Sequence, residues 1–215
     1  MENRRIKLYA RNNGNVALQT IPGHFVTSHS HINYYIDLTS LKTHVNEAQD
    51  VARILAADYS KNTSEIDTIV CMDGTEVIGA FMAKELMDRS GYGKEQKIVS
   101  VVTPEYNSNN QMIFRDNTAP MISGRNIILL VATTTTGLTI GRSLECIRYY
   151  GGNPVGISSI FSTVKKISGM VVNSIFSEKD VSDYTAYPAE KCPFCKKGIR
   201  IDALVNGHGY SKMAF

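Results

Sequence analysis

Apolar and polar residues change period several times along this chain, and each change marks an element. Residues 6–10 and 16–20 read as two short strands around Asn12-Asn13-Gly14-Asn15, where Asn-Gly signals a hairpin turn. Ile21-Pro22-Gly23 interrupts the pattern, and residues 31–38 read as a further strand. Val45, Ala48, Val51, Ala52, Leu55 and Tyr59 then recur at helical spacing, which predicts an amphipathic helix over 41–59. Strand and helix alternate from there: a strand at 66–71, a helix at 76–89 closed by Gly91 and Gly93, and a strand at 97–102. After a polar loop at 104–117 come a strongly apolar strand at 127–132, a helix at 140–150 ended by Gly151-Gly152, and a strand at 155–161. Residues 170–176 read as an edge strand and 177–187 as an acidic, turn-rich segment. Strands separated by helices of this length predict an α/β fold with a parallel sheet, whose ligands bind at the carboxyl ends of the strands.

Composition changes this picture little. With 43% apolar and 20% charged residues the chain has an ordinary globular balance, and a net charge of +3 without a dense basic stripe argues against nucleic acid. No apolar run is long enough for a membrane span, and residues 1–7 lack the apolar core of a signal peptide. Four cysteines do not make a disulfide scaffold, so a reducing cytoplasm is the expected compartment.

The candidate chemistry sits where the strand at 127–132 ends in Thr133-Thr134-Thr135-Thr136-Gly137-Leu138-Thr139 and a helix follows. Hydroxyls and backbone N–H groups gathered at the positive end of a helix suit a phosphate. The plainer alternative is that the hydroxyls merely cap the helix. Thr135-Thr136-Gly137-Leu138-Thr139 resembles the phosphate-binding end of the phosphoribosyl pyrophosphate motif of type I phosphoribosyltransferases. The order of the flanking segments is most similar to orotate phosphoribosyltransferase. Residues 23–28, the Tyr34-Tyr35-Ile36-Asp37 strand, Ile66-Asp67 onward and Tyr150-Gly151-Gly152 carry that similarity, and Cys192-Pro-Phe-Cys195 resembles a tail of some members.

The resemblance implies a phosphoribosyltransferase-like fold in three parts. These are N-terminal hood strands over 1–40, an α/β core over 41–163, and an edge strand with a small Cys-x-x-Cys appendage over 164–215. It also implies a homodimer, Mg²⁺ acting with phosphoribosyl pyrophosphate, phosphate binding at residues 133–139, a pyrophosphate and ribose region at Asp73, Gly74, Thr75, Glu76 and Arg115, and a base region at Tyr34 and Tyr35. The chain departs from the motif at the reacting positions. The family's paired ribose-binding acids align with Val131 and Ala132, its base-contacting lysine with Ser30, and the only cation in the loop at 106–116 is Arg115. Val and Ala neither accept hydrogen bonds from ribose hydroxyls nor stabilise positive charge on the ribose carbon.

Two functional readings stay open. One is a protein that binds phosphoribosyl pyrophosphate or a nucleoside monophosphate and transfers ribose 5-phosphate to a base. The other is a non-catalytic nucleotide-sensing or regulatory module on the same fold. Asp73 and Glu76 fit either relocated acids or helix N-terminal carboxylates stabilised by the dipole. Arg115 fits either a phosphate contact across a dimer or a solvated pair with Asp116. His29 and His31 point to one face, as ligand contacts or as surface histidines. Cys192 and Cys195 have the spacing of half a zinc site, with His208 or a second chain as candidate completion and a plain or redox-active thiol pair as the alternative.

Overall fold

The computed structural model describes residues 2–11, 13–61, 65–89, 97–109 and 111–213. Its core is a sheet of five parallel strands with one short antiparallel strand at the edge. The strands are β4 (Thr68–Cys71), β5 (Ser100–Val102), β8 (Asn126–Thr134), β9 (Asn153–Ser162), β10 (Lys166–Ile167) and β11 (Met170–Ser177), in the order β10-β11-β9-β8-β4-β5. The α/β class with a parallel sheet is therefore as the periodicity predicts.

β8 shows why such a run forms a central strand. Ile128, Leu130 and Ala132 face one core with helices α2 (Val45–Ala57) and α3 (Glu76–Arg89), while Ile127, Leu129 and Val131 face a second core with α4 (Leu138–Tyr149). A strand covered on both faces is apolar without alternation. Gly79 on α3 lies so close to β4 that a Cβ there would collide with Cys71 Sγ. Gly79→Ala is accordingly expected to cost about 1–3 kcal/mol by urea unfolding, because overpacking in a close-packed core is not relieved cheaply.

A second sheet covers the carboxyl end of the first. It joins β1 (Ile6–Ala10), β2 (Asn13–Val26), β3 (His31–Asp37), β12 (Ala186–Tyr187), β13 (Ala203–Asn206) and β14 (Gly209–Lys212) around Ile21, Phe25, Ile32, Tyr35, Ala203 and Val205. β13 runs parallel to β2, pairing Ala203 with Phe25, so the C-terminal appendage completes the N-terminal sheet.

Several expectations shift. Ala10 pairs with Asn13, so the first hairpin closes ahead of Asn13-Gly14, and these two residues begin β2; Asn12 lies outside the described residues. Ile21-Pro22-Gly23 does not end the strand. It is an irregularity inside β2, where the register against β3 shifts between Pro22 and Phe25 and the strand's other neighbour changes from β1 to β13. The helix expected over 41–59 is broken at His44, whose extended backbone (φ −84°, ψ 118°) separates α1 (Thr39–Thr43) from α2. The loop at 104–117 contains a two-residue hairpin, β6 (Glu105–Tyr106) with β7 (Met112–Ile113). Gly91 and Gly93 lie outside the described residues. Among the described residues no helix is long and apolar enough to cross a membrane.

Candidate functional site

A cleft opens between the two sheets, at the carboxyl ends of β4 and β8. One wall is the threonine turn. Thr133, Thr134, Thr135, Thr136, Gly137 and Thr139 all line it, whereas Leu138 points to solvent. Gly137 has φ 73° and stands at the N-cap of α4, and no side chain among the described residues caps that helix end. The hydroxyls therefore do not cap α4, and the first-turn N–H groups are left to the cleft. Thr163 fixes the back of the turn: its N–H donates to the Thr134 carbonyl at 2.9 Å and its hydroxyl to the Thr135 carbonyl at 2.7 Å. Thr134 is 2% exposed, and its Oγ1 is buried without a hydrogen-bond partner among the described residues.

The opposite wall holds a residue that the sequence reading missed. Lys42, on α1, is 8% exposed and lines the cleft. Its ammonium donates to the Asp73 carbonyl at 2.8 Å and to the Gly207 carbonyl at 2.7 Å, which uses two of its three donors. Burial lowers its pKa, and Asp73, Glu76 and Asp37 partly offset that effect. In the sequence Lys42 looks like a solvated residue on an amphipathic helix. Only the break at His44 turns α1 so that the side chain enters the cleft.

Asp73 also lines the cleft, in the left-handed region at φ 58°, followed by Gly74 at φ 76°. Burial raises its carboxyl pKa, against the opposing effects of Lys42, a hydrogen bond from the Ala132 backbone, and His208. The tip between β13 and β14 presses on this turn: a Cβ at Gly207 would stand 2.6 Å from Asp73 Oδ1. The alternation of Ala203 and Val205 followed by Asn206-Gly207-His208-Gly209 was the available signal for this hairpin.

The remaining candidates divide. Tyr35 lines the cleft, while Tyr34 packs against the main core. Thr75 is buried with its hydroxyl donating to the Met72 carbonyl at 2.8 Å, which locks the turn. Glu76 accepts a hydrogen bond from Thr103 at 3.3 Å, and neither it, Gly74 nor Thr75 lines the cleft. Arg115 pairs with Glu105 through Nε at 3.0 Å and Nη2 at 2.6 Å and is likewise not on the lining. Val131 and Ala132 are each 1% exposed, committed to opposite cores at the cleft floor.

A separate group of ligand atoms lies behind the cleft. Cys192 at the N-cap of the short helix α5 (Pro193–Lys196) and Cys195 within it meet His24 and His31, not His208. Their four ligand atoms all lie within 4.8 Å of one another, an arrangement able to hold a metal ion. Cys71 and Cys146 stand apart on β4 and α4.

No protein-family model matches the chain. The orotate phosphoribosyltransferase of Chlorobium phaeobacteroides is 25% identical over 186 residues, which cover 85% of this chain and 87% of the relative. Among solved structures, orotate phosphoribosyltransferase from Aeropyrum pernix matches with a TM-score of 0.54 at 16% identity, over 74% of this chain and 88% of the other. Adenine phosphoribosyltransferase from Leishmania donovani matches with a TM-score of 0.52 at 14% identity, over 74% and 78%. These structural likenesses establish the fold, and they span proteins named for two different bases. The chain thus has the type I phosphoribosyltransferase fold and is a distant sequence relative of the orotate phosphoribosyltransferases.

Proposed function

We propose that the cleft binds a 5′-phosphorylated ribose compound, phosphoribosyl pyrophosphate or a nucleoside monophosphate, with the 5′-phosphate at the N-terminus of α4. The observation that carries this reading is the open N-terminus of α4 at the threonine turn, on the same cleft as the Lys42 ammonium. Phosphate oxygens accept hydrogen bonds from the first-turn N–H groups and the threonine hydroxyls, and the dipole favours their charge. Lys42 faces this turn across the cleft and is placed to meet the ligand's remaining anionic oxygens. Tyr35, on the cleft lining, stands on the side expected for the base.

Transfer of the ribose to a base is not favoured by these residues. Val131 and Ala132 close the cleft floor with apolar surface where a reacting ribose needs carboxylates. Asp73 is the one carboxylate among the described lining residues, and it already accepts from the Ala132 backbone. A Mg²⁺ ion here would be held chiefly by the ligand's own phosphates, with Asp73 as the one lining carboxylate. Absence of both ribose acids is expected to cost about 10²–10³ in rate or more. The reading is therefore a binding or sensing module that has kept the phosphate end of the fold.

Calorimetry with phosphoribosyl pyrophosphate and a panel of nucleoside monophosphates tests it, alongside pyrophosphate release with Mg²⁺ and a panel of bases. Saturable binding with pyrophosphate at background is the expected result. No saturable binding by any of these compounds would remove the proposal, and base-dependent pyrophosphate release would establish a transferase instead.

A further inference from the structure

We propose that His24, His31, Cys192 and Cys195 form a tetrahedral zinc site that fastens the C-terminal strap, residues 189–213, to the N-terminal sheet. The proposal is independent of what the cleft binds. His24 Nε2 lies 2.9 Å from His31 Nδ1, 3.5 Å from Cys192 Sγ and 3.7 Å from Cys195 Sγ. Cys195 Sγ lies 3.4 Å from His31 Nδ1. Zinc–sulfur bonds of about 2.3 Å and zinc–nitrogen bonds of about 2.0 Å at tetrahedral angles set sulfur and nitrogen about 3.5 Å apart. The three sulfur–nitrogen distances bracket that value.

The surroundings suit a metal better than a thiol pair alone. His24 is 1% exposed, and its Nδ1 stands 2.9 Å from the Ile199 carbonyl. A carbonyl only accepts, so Nδ1 carries the proton and the Nε2 lone pair faces the cluster. Phe194, between the two cysteines, stacks on the His24 ring at 5.2 Å and 23°, which holds the imidazole in that orientation. Beyond Cys195, Gly198 takes φ 65° and donates to the Cys195 carbonyl at 3.0 Å, closing the chain tightly round the sulfur.

Charge and protons balance. Two thiols lose their protons to solvent, the two thiolates cancel the charge of Zn²⁺, and the imidazoles stay neutral. Cys192 is fully buried, and a thiolate there needs such a counter-charge.

The ligands come as two pairs, one at residues 24 and 31 and one at 192 and 195, so the metal closes a loop of most of the chain. β13 begins soon after, and its hairpin tip rests on Asp73 and Lys42. Zinc thereby sets the position of one cleft wall.

Elemental analysis of protein purified without chelator, together with cobalt substitution of the chelator-treated, reduced full chain, tests the site. About one zinc per chain is expected, falling below about 0.1 in His24→Ala, His31→Ala and Cys195→Ser and unchanged in His208→Ala. Circular dichroism checks that each variant folds. Where a ligand variant fails to fold, the wild-type cobalt spectrum decides: intense tetrahedral bands with thiolate charge transfer support the site, and a weak octahedral spectrum overturns it. Failure of the reduced wild-type protein to take up zinc or cobalt overturns it also, as does zinc retained at full stoichiometry in folded His24→Ala and His31→Ala.

Discussion

Gly137→Val is expected to weaken binding of a nucleoside monophosphate or phosphoribosyl pyrophosphate by about 100-fold or more, while the protein stays folded. Gly137 has φ 73° at the N-cap of α4, and a β-branched residue is a steric outlier there. A Cβ at this position would also stand 3.0 Å from Ile167 Cγ1. The chain relieves both conflicts by moving φ to negative values, which rotates the peptide planes that aim the first-turn N–H groups at the cleft. The phosphate then loses several aligned donors together. Gly137→Ala separates backbone strain from side-chain bulk and is expected to fall between the two proteins. Calorimetry reads the affinity and thermal unfolding reads the fold. Undiminished affinity in folded Gly137→Val would place the phosphate elsewhere.

Lys42→Met is expected to lower the same affinity by about 10- to 100-fold, the size of a lost charge-assisted hydrogen bond. Its effect on stability is expected to be small, within about 1–2 kcal/mol. Methionine removes the cost of burying a cation but leaves the Asp73 and Gly207 carbonyls without their donor, and these changes oppose each other.

The pH dependence gives a second signature. Burial lowers the pKa of Lys42 below the 10.5 of a solvated lysine. Between the lowered value and 10.5 the unfolded chain holds the proton more often than the folded one, so this residue's contribution to stability rises with pH across that window. Anion binding runs the other way and weakens as pH climbs through the lowered value, because the cation is being lost. Lys42→Met should remove this residue's share of both trends, measured as the difference from wild type by urea unfolding and by calorimetry across an alkaline series. A pH profile identical in the two proteins would show that Lys42 does not meet the ligand.

The legible part of the protein is the part written in contiguous residues. Residues 127–132 are apolar without alternation because β8 is covered on both faces. The abrupt change to threonine and glycine marks where the strand leaves the core, so the turn at 133–139 was readable as the carboxyl end of a central strand. The start of α3 at Glu76 was readable, since a helix start after a turn is a local signal. Tyr34 and Tyr35 were readable as a pair, but which of them faces the cleft depends on the register of β3 against β2, and a shift of one residue exchanges them.

The rest of the site depends on contacts between distant segments. Lys42 belongs to an unremarkable helical pattern and becomes a cleft residue only through the break at His44. Arg115 and Glu76, plausible in sequence as site residues, find partners in Glu105 and Thr103 away from the cleft. The cysteine pair announced half of a metal site. Its partners were misjudged because His208 is nearer in sequence, whereas pairing of β13 with β2 carries the appendage to His24 and His31. Sequence alone thus determined the α/β layering, the threonine turn and the apolar pair Val131-Ala132 ahead of it, because burial period and residue chemistry are local. Tertiary structure decided where Lys42, the Gly207 tip and the two histidines stand, because strand pairing between residues more than a hundred positions apart leaves no periodic trace in the chain.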